Sequence, residues 1–233
     1  MNSFMASIKA QSAGRKYQSG DIEAAKKLYE EAMQSGLKDP RYILSYSVLL
    51  LRSGEYQKAR ELLVEHQKSP LLNAESRKQL FVNYAVCVYK LGENDKAVSV
   101  LEGLHQKDPS GLVYQTLGYL YVATGNKEKA VSFNLEALEY DDEDPITLDN
   151  LAQAYYLVEN DKETAKEYFL KALAQKPGQI DTLFFLAEYD IADGNTQAAA
   201  EKLNKALEGR FSPLNHATKE MIEEKLASLN IGA

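Results

Sequence analysis

The stretch Gly92-Glu93-Asn94-Asp95-Lys96-Ala97 decides the fold, because close copies of it occur along the whole chain. Each copy places a glycine, or in one case an asparagine, five residues before an alanine. The six alanines are Ala25, Ala59, Ala97, Ala130, Ala165 and Ala199, separated by 34, 38, 33, 35 and 34 residues. A regular period of this length is typical of proteins built from stacked structural repeats.

Each residue type in the repeated stretch has a structural reason. Glycine, and less readily asparagine, adopts the left-handed backbone conformation that ends a helix. The polar residue that follows can begin the next helix, where negative charge is favourable. The small alanine lets two helices approach closely, which a larger side chain would prevent. We therefore expect two closely packed helices on either side of each glycine.

An apolar stripe precedes each of these turns. In the third repeat it consists of Phe81, Tyr84, Ala85 and Val88, whose spacing of three, one and three residues keeps them on one helical face. Similar stripes occur in the fourth, fifth and sixth repeats, each with a small third member. The pattern predicts a first helix in every repeat that packs through this face.

Prolines lie between the repeats, where they stop or start helices. Asp108-Pro109 and Asp144-Pro145 are predicted to be helix caps followed by proline in the first turn. Ser212-Pro213 is likewise predicted to begin a final helix, which presents apolar residues at helical spacing and a polar opposite face. A helix with one polar face is what the open end of a repeat stack requires.

These motifs resemble the tetratricopeptide repeat family, whose unit is a helix-turn-helix of 34 residues. The resemblance covers about nine tenths of the chain and implies an all-α fold, a right-handed superhelical solenoid of about six repeats plus a C-terminal capping helix. It implies one solenoid domain over residues 1–233. The expected repeats are 6–39, 40–73, 78–110, 111–145, 146–179 and 180–211, and the expected capping helix is 212–230.

Composition and charge exclude several classes of protein. The 233 residues are 45% hydrophobic and 26% charged, which excludes wholesale disorder. A net charge of −7 argues against nucleic acid as a partner. No apolar run is long enough for a membrane span or a leader peptide, and Cys87 has no second cysteine to pair with. We expect a cytoplasmic protein with neither a membrane nor a nucleic-acid partner.

Residues that commonly carry chemistry are scattered. His66, His105 and His216 lie in different repeats and form no paired ligand motif, and Cys87 lies in an apolar helix. The acidic run 141–144 lacks the alternation and central glycine of a calcium loop. We therefore predict no catalytic residues, no cofactor, no metal site and no enzymatic activity.

In the tetratricopeptide repeat family, the first helices line a concave groove, so residues outside the packing stripe are expected to face it. Tyr89, Tyr119, Tyr156 and Phe184 recur at nearly one repeat period, either to capture a peptide or to pack helices together. The Lys/Asn/Arg carboxylate clamp of some family members has no match here. The expected groove residues are Arg41, Leu44, Val48, Arg52, Asn83, Val86, Tyr89, Lys90, Gln115, Tyr119, Gln153, Tyr156, Phe184 and Glu188.

Two functions remain open from the sequence. The favoured one is a non-enzymatic scaffold or adaptor for protein-protein interaction, which binds a peptide or an extended protein segment in the concave groove. The alternative is a structural protein that acts by homo-oligomerisation, suggested by a first repeat with Lys9, Ser12 and Lys16 at usually apolar positions.

Charge is distributed unevenly along the repeats. Residues 1–110 carry a net charge of +3 and residues 111–194 a net charge of −10. The acidic part is either a solvated surface or an attraction for a basic segment of a partner. Asp190 is a further oddity, since it occupies a packing position that Tyr121 and Tyr155 hold in earlier repeats.

Overall fold

A computed structural model describes residues 2–229 and the side chains from Phe4 onward. This part of the chain contains thirteen α-helices, one π-helical segment and no strand, so the expected all-α helical repeat fold is confirmed. The α-helices are α1 (Asn2–Gln18), α2 (Ile22–Gln34), α3 (Pro40–Arg52), α4 (Tyr56–His66), α5 (Ala74–Lys90), α6 (Asn94–Lys107), α7 (Gly111–Ala123), α8 (Ala130–Tyr140), α9 (Pro145–Gln153), α10 (Lys162–Gln175), α11 (Ile180–Ala192), α12 (Thr196–Leu207) and α13 (Lys219–Ser228).

The turns inside the repeats have the predicted backbone geometry. The five turn glycines have φ values between 66° and 85°, and Asn160 takes the same left-handed conformation with φ of 56°. Only glycine, and to a lesser extent asparagine, enters this region at low cost. The sequence therefore located each of these turns correctly.

In the fifth repeat, Asn160 follows Tyr155 by five residues, whereas Gly125 follows Tyr121 by four in the fourth repeat, and this extra residue lies inside a helix. The chain continues from α9 into a π-helical segment, Ala154–Glu159, before Asn160 ends the helix. A π turn holds about one more residue than an α turn, so the helix absorbs the insertion by widening locally.

Helix starts follow the predicted caps at one proline and not at another. At α9, Pro145 is the first helical residue, and Asp144 Oδ2 accepts a hydrogen bond from the Thr147 backbone N–H at 2.8 Å. At α7, the predicted cap Asp108-Pro109 is wrong. Ser110 is extended, with φ of −156° and ψ of 158°, so the helix begins only at Gly111.

Small residues bring helices together as predicted. Ala85, Ala152 and Ala187 are completely buried, each at the third position of an apolar stripe. Gly118 shows the tightest approach, since a Cβ atom there would lie 2.2 Å from Asn134 Oδ1. Asn134 Nδ2 donates to the Gly118 carbonyl oxygen at 3.3 Å, a contact that any side chain at position 118 would block.

Contacts divide the chain into two compact units, unit 1 up to Leu104 and unit 2 from His105 onward. In unit 1, α1 packs through the fully buried alanines Ala6, Ala10 and Ala13. The rings of Tyr29 and Tyr46 stack in the same unit with centroids 4.9 Å apart. In unit 2, the rings of Phe169 and Phe185, which belong to the last two repeats, stack in the same way. Both side chains are fully or nearly fully buried.

The C-terminal helix begins later than predicted. Residues 212–218 form turns and bends, and α13 begins at Lys219, where the Thr218 hydroxyl accepts a hydrogen bond from the Met221 backbone N–H at 3.2 Å. The expected start at Ser212-Pro213 is therefore wrong, because the preceding loop is held by Asp181 of α11. Residue 230, the end of the expected range, lies outside the described residues.

Candidate interaction surfaces

The expected groove residues of α3 form a continuous surface stripe. Arg41 and Arg52 are exposed, and Leu44 and Val48 between them are half-buried. Their spacing of three or four residues places all of them on one side of the helix. Arg52 donates to the Tyr17 hydroxyl at 3.1 Å, and the Arg41 guanidinium forms a two-pronged contact with Asp39. The stripe is apolar in the middle and cationic at both ends.

In α5, only part of the expected surface is accessible. Lys90 is exposed and Tyr89 is half-buried, whereas Val86 and Asn83 are buried. Asn83 Nδ2 donates to the Ser47 hydroxyl of α3 at 2.9 Å. The amide of Asn83 therefore joins two neighbouring first helices and is not free to contact a ligand.

In unit 2, most of the expected groove residues lie between helices. Tyr119, Gln153 and Phe184 are buried, with 8%, 2% and 5% of their surface exposed. Gln115 and Tyr156 are half-buried. Most residues of the first helices α7, α9 and α11 are buried, which is typical of helices enclosed by neighbours.

The aromatic residues of unit 2 make extensive contacts with one another. The Tyr156 ring lies 4.9 Å from the Phe185 ring and 5.9 Å from the Tyr189 ring, measured between centroids. The Lys162 ammonium lies 5.0 Å from the centroid of the Tyr156 ring. These contacts favour packing, the second of the two roles that the sequence left open for the periodic aromatics.

The C-terminal segment covers the remaining groove residues of α11. The Lys225 ammonium lies 5.3 Å from the centre of the Phe184 ring and forms an ion pair with Glu188. The His216 ring lies 6.2 Å from the Phe184 ring, again between centroids. The face of the sixth repeat is therefore occupied by residues of the same chain.

A buried acidic cluster anchors this segment. Both oxygens of Asp181 accept backbone N–H bonds, from Ala217 at 2.9 Å and from His216 at 3.0 Å, and Asn215 Nδ2 donates at 3.1 Å. Burial raises the pKa of the Asp181 carboxyl, and these donors oppose the rise. The carboxylate thus replaces the water that the loop amides would otherwise bind.

A second carboxyl lies close in the same cluster. Asp149 of α9 is buried and accepts hydrogen bonds from the Thr182 hydroxyl at 2.5 Å and from Gln153 Nε2 at 2.7 Å. Burial raises the pKa of Asp149 above its ordinary value, and the charge of Asp181 raises it further. The sequence did not single out this pair as an anchor, although one aspartate on each of two largely buried helices was a visible signal.

A groove in unit 1 runs between the second helices α2 and α4, over α3. It encloses about 300 Å³, and we call it the acidic groove because three carboxylates line it. Lys58 is the single cation among its lining residues. The lining residues are Glu30, Met33, Gln34, Tyr46, Leu50, Lys58, Glu61, Leu62 and Glu65.

Unit 2 has a groove at the corresponding place, between α10 and α12, over α11. It encloses about 520 Å³, and we call it the leucine groove. Half of the surface of Leu170 is exposed in it. The lining residues are Leu170, Leu173, Ala174, Pro177, Leu183, Ala198, Glu201, Lys202 and Lys205.

A lysine that lines the leucine groove, Lys202, is the partner of Asp190. Lys202 Nζ of α12 lies 2.5 Å from Asp190 Oδ2, with about a quarter of each side chain exposed. The partner of Asp190 is therefore a residue of its own repeat rather than the C-terminal helix. Neither groove was predicted from the sequence, because their residues face outward and follow no residue-type pattern. Comparing equivalent positions of the second helices would have revealed them.

Cys87 and His105, whose residue types commonly carry chemistry, are packed among other side chains. Burial raises the pKa of the Cys87 thiol to about 12, so the thiol stays protonated at neutral pH. The His105 ring packs against Tyr114 and Phe133, and its Nε2 lies 3.3 Å from Glu136 Oε1. Within the described residues, no three His, Cys, Asp or Glu side chains are grouped to hold a metal ion. No helix there is both long and apolar enough to cross a membrane.

Comparison with known protein families identifies the family of this chain. Sequence models of two families match, one described as "Tetratrico peptide repeat" over residues 6–101 and one as "Tetratricopeptide repeat" over residues 112–144. Together these matches cover more than half of the chain. The chain belongs to the tetratricopeptide repeat family. Proteins of this family generally mediate protein-protein interactions and are typically non-enzymatic scaffolds.

Solved structures agree with this fold. TTC0263, a thermophilic tetratricopeptide repeat protein of Thermus thermophilus, is 20% identical, with a TM-score of 0.66 over 83% of this chain and all of that chain. PilW, a type IV pilus biogenesis factor, is also 20% identical, with a TM-score of 0.66 over 95% of this chain and 98% of that chain. Pseudomonas aeruginosa PilF is 16% identical, with a TM-score of 0.61 over 97% of this chain and 99% of that chain.

A curated relative is much longer than this chain. Cellulose synthase operon protein C of Pseudomonas fluorescens (strain SBW25) is 29% identical over 171 residues. The match covers 70% of this chain, but the chain spans only 13% of that protein's length.

Proposed function

We propose that this protein is a non-enzymatic interaction scaffold that binds a peptide or an extended protein segment along its first helices. The observation that carries the proposal is the surface stripe of α3, where half-buried Leu44 and Val48 lie between exposed Arg41 and Arg52. Apolar residues flanked by cations can bind the apolar side chains of a segment and orient its acidic groups. A cytoplasmic location, suggested by the single cysteine, is part of the proposal.

The role of unit 2 in this proposal is narrower than the sequence suggested. Its expected groove residues are largely buried or covered by the C-terminal segment, so we place the binding surface on α3 and α5 of unit 1. Tyr89 and Lys90 extend the surface onto α5, where the side chain of Lys90 is exposed.

A peptide array tests this surface. We expect the variant with Arg41→Glu and Arg52→Glu to lose at least about tenfold in affinity for the peptides that the natural protein captures, equivalent to about 1.4 kcal/mol. The charge-matched control carries Lys38→Glu and Lys68→Glu, two exposed lysines outside the stripe. Equal binding by both variants and the natural protein would refute the proposal.

A structural role through self-association is a second candidate, and one observation favours it. Phe4, Met5 and Ile8 of α1 are 72%, 51% and 41% exposed, an apolar patch on one side of the helix. Contiguous exposed apolar residues commonly mark interaction sites. Light scattering at high concentration should show a dimer or larger species that Ile8→Glu dissociates. A monomeric mass for the natural protein would exclude this candidate.

A further inference from the structure

The acidic groove of unit 1 has an excess of negative charge that its own residues leave unbalanced. Lys58 is engaged with Glu30 and lies 3.6 Å from Glu55. Glu61 accepts a hydrogen bond from Gln57 Nε2 at 2.8 Å, and Glu65 is exposed. Within the described residues, neither Glu61 nor Glu65 is in an ion pair.

The two carboxylates are placed to act together. Glu61 and Glu65 are four residues apart on α4, so their side chains are neighbours on one face of the helix. Both side chains are exposed and line the edge of the groove. Two neighbouring carboxylates at the edge of a groove concentrate negative potential and attract a cation.

The floor of the groove is apolar. Met33, Leu50 and Leu62 line it, and these side chains can pack against the methylene groups of a long side chain. The volume of about 300 Å³ lies at the lower limit for ligand pockets, which suits one or two side chains rather than a folded domain.

The Tyr46 hydroxyl lies beneath the groove, next to Lys58. Tyr46 is 3% exposed and lines the groove, and its hydroxyl oxygen is buried without a well-formed hydrogen bond in the described part of the chain. Burial raises the pKa of this hydroxyl, and the nearby Lys58 ammonium, which is engaged with Glu30, only partly opposes the rise. Buried polar atoms are nearly always bonded, and leaving one unbonded is costly. The Lys58 ammonium is the donor next to this hydroxyl, so Lys58 is held by Tyr46 and Glu30 and does not neutralise Glu61 or Glu65.

We propose that the acidic groove binds a basic segment of a partner protein. The aliphatic part of an arginine or lysine side chain lies on Met33, Leu50 and Leu62, and its cationic end contacts Glu61 and Glu65. This surface is formed by the second helices and is distinct from the α3 stripe, so the two proposals stand or fall separately.

A designed peptide tests the proposal directly. The probe is a short amphipathic peptide with arginines beside leucines, and the control probe has glutamates in place of the arginines. We expect the arginine peptide to bind, with an affinity that falls as salt screens the charges, and the glutamate peptide not to bind. Equal binding of the two peptides would overturn the proposal.

Matched variants locate the binding. Glu61→Gln with Glu65→Gln should weaken the arginine peptide at least about tenfold. Glu201→Gln, at the equivalent position of the leucine groove, should leave the affinity unchanged. Arg41→Glu with Arg52→Glu should also leave it unchanged, because those residues belong to the other surface. Full affinity in the Glu61 and Glu65 variant would refute the site.

Methionine methyl signals provide a readout that does not depend on a variant. The chain has four methionines, and Met33 lies in the acidic groove while Met221 lies on α13. With labelled methyl groups, titration of the arginine peptide should shift the Met33 signal and leave the Met221 signal in place. Shifts confined to other methionines would overturn the proposal.

Self-association is a separate outcome of the experiments with these variants. If the protein alone forms a larger species that Glu61→Gln with Glu65→Gln dissociates, the groove is occupied by a second copy. That result would overturn the proposal of a separate basic partner.

Discussion

The acidic groove and the leucine groove lie at the same place in their repeats, yet they differ in chemistry. Because Ala25 and Ala59 correspond to Ala165 and Ala199, each position in one groove has a counterpart in the other. The ion pair of Lys58 with Glu30 in unit 1 is replaced by Ala198 and Leu170 in unit 2. An electrostatic contact across one groove becomes an apolar surface in the other.

A second pair of positions shows the opposite exchange. Lys202, which lines the leucine groove, forms an ion pair with Asp190, and the counterparts of these two residues in unit 1 are Leu62 and Leu50 of the acidic groove. An ion pair at one pair of positions in each unit therefore corresponds to an apolar pair in the other unit. The repeat fixes where a groove forms, and the outward residues decide what it can bind.

The comparison also separates net charge from local charge. The acidic groove lies in the part of the chain with a net charge of +3, and the leucine groove borders the part with −10. Interactions between exposed charges decay over about 8–10 Å in salt. A partner therefore senses the few charges in a groove rather than the total of a segment.

The largest effect should come from adjacent residues of α10 that differ in burial. Phe169 is completely buried and stacks on Phe185, with ring centroids 4.9 Å apart, while its neighbour Leu170 lines the leucine groove. Phe169→Ala should lower the free energy of unfolding by about 3–5 kcal/mol, because it leaves a cavity in the core. Urea denaturation followed by circular dichroism measures the change.

Leu170→Ala is the control for this prediction. It should change the free energy of unfolding by no more than about 0.5 kcal/mol, as expected for a surface position. A large loss in this variant would mean that the leucine groove is part of the core rather than a surface.

The next largest effect concerns the acidic cluster of unit 2, since no carboxylate is buried among the described residues of unit 1. Asp181→Ala removes three hydrogen bonds to the loop before α13 and should destabilise unit 2 by about 2–3 kcal/mol. Hydrogen exchange should show faster exchange of α13 amides. Unchanged protection of the α13 amides would show that Asp181 does not anchor the C-terminal segment. The matched control is Asp190→Ala, which removes another carboxylate of the same helix, α11.

A smaller, pH-dependent effect should follow from Asp149. Burial and the charge of Asp181 raise its pKa in the folded state, so the folded protein holds the proton more tightly than the unfolded chain. The protonated Asp149 carboxyl therefore stabilises the folded state. This contribution to the free energy of unfolding is fully present at pH values below the unfolded pKa of about 4, and it is lost as the pH rises through the folded pKa.

The variant Asp149→Asn isolates this contribution. It cannot ionise, so the free energy of unfolding of unit 2 should depend less steeply on pH above about 4 than in the natural protein. Denaturation midpoints at several pH values provide the measurement. Identical pH profiles for the two proteins would show that Asp149 has the same proton affinity folded and unfolded.

The smallest effect on stability should come from exchanging groove chemistry. Leu170→Glu with Lys205→Glu introduces into the leucine groove the carboxylates found at the equivalent positions of unit 1. Both residues are exposed, so the free energy of unfolding should change by no more than about 0.5 kcal/mol. With Glu61→Gln and Glu65→Gln also present, the arginine peptide should regain affinity in titration calorimetry. No gain would mean that the apolar floor of the acidic groove is also required.

The fold was predictable because it depends on local rules that recur. Six turns were located from one glycine-to-alanine spacing, and Asn160 was found as a substitute for glycine. The missed features depend on contacts distant in sequence. Asp108-Pro109 has the composition of a cap without its geometry, and the start of α13 was displaced by the bonds from its loop to Asp181.

The exposure of the expected groove residues was predictable on α3 of unit 1 and much less so in unit 2. In α3, helical spacing alone separated the exposed stripe from the packing stripe. In α7, α9 and α11 the same spacing points Tyr119, Gln153 and Phe184 at neighbouring helices, which bury them. Spacing gives the direction of a side chain around its own helix, but not what lies in that direction.

The sequence by itself determined the family, the number of turns, and the small residues at which helices meet. These follow from backbone conformation and close packing, which each repeat must satisfy. Only the tertiary structure decided that Asp181 binds the C-terminal loop, that Asp190 pairs with Lys202, and that the carboxylates of α2 and α4 share one groove. The physical reason is that burial and electrostatic interaction depend on distances between helices, and those distances are set only once the repeats have stacked.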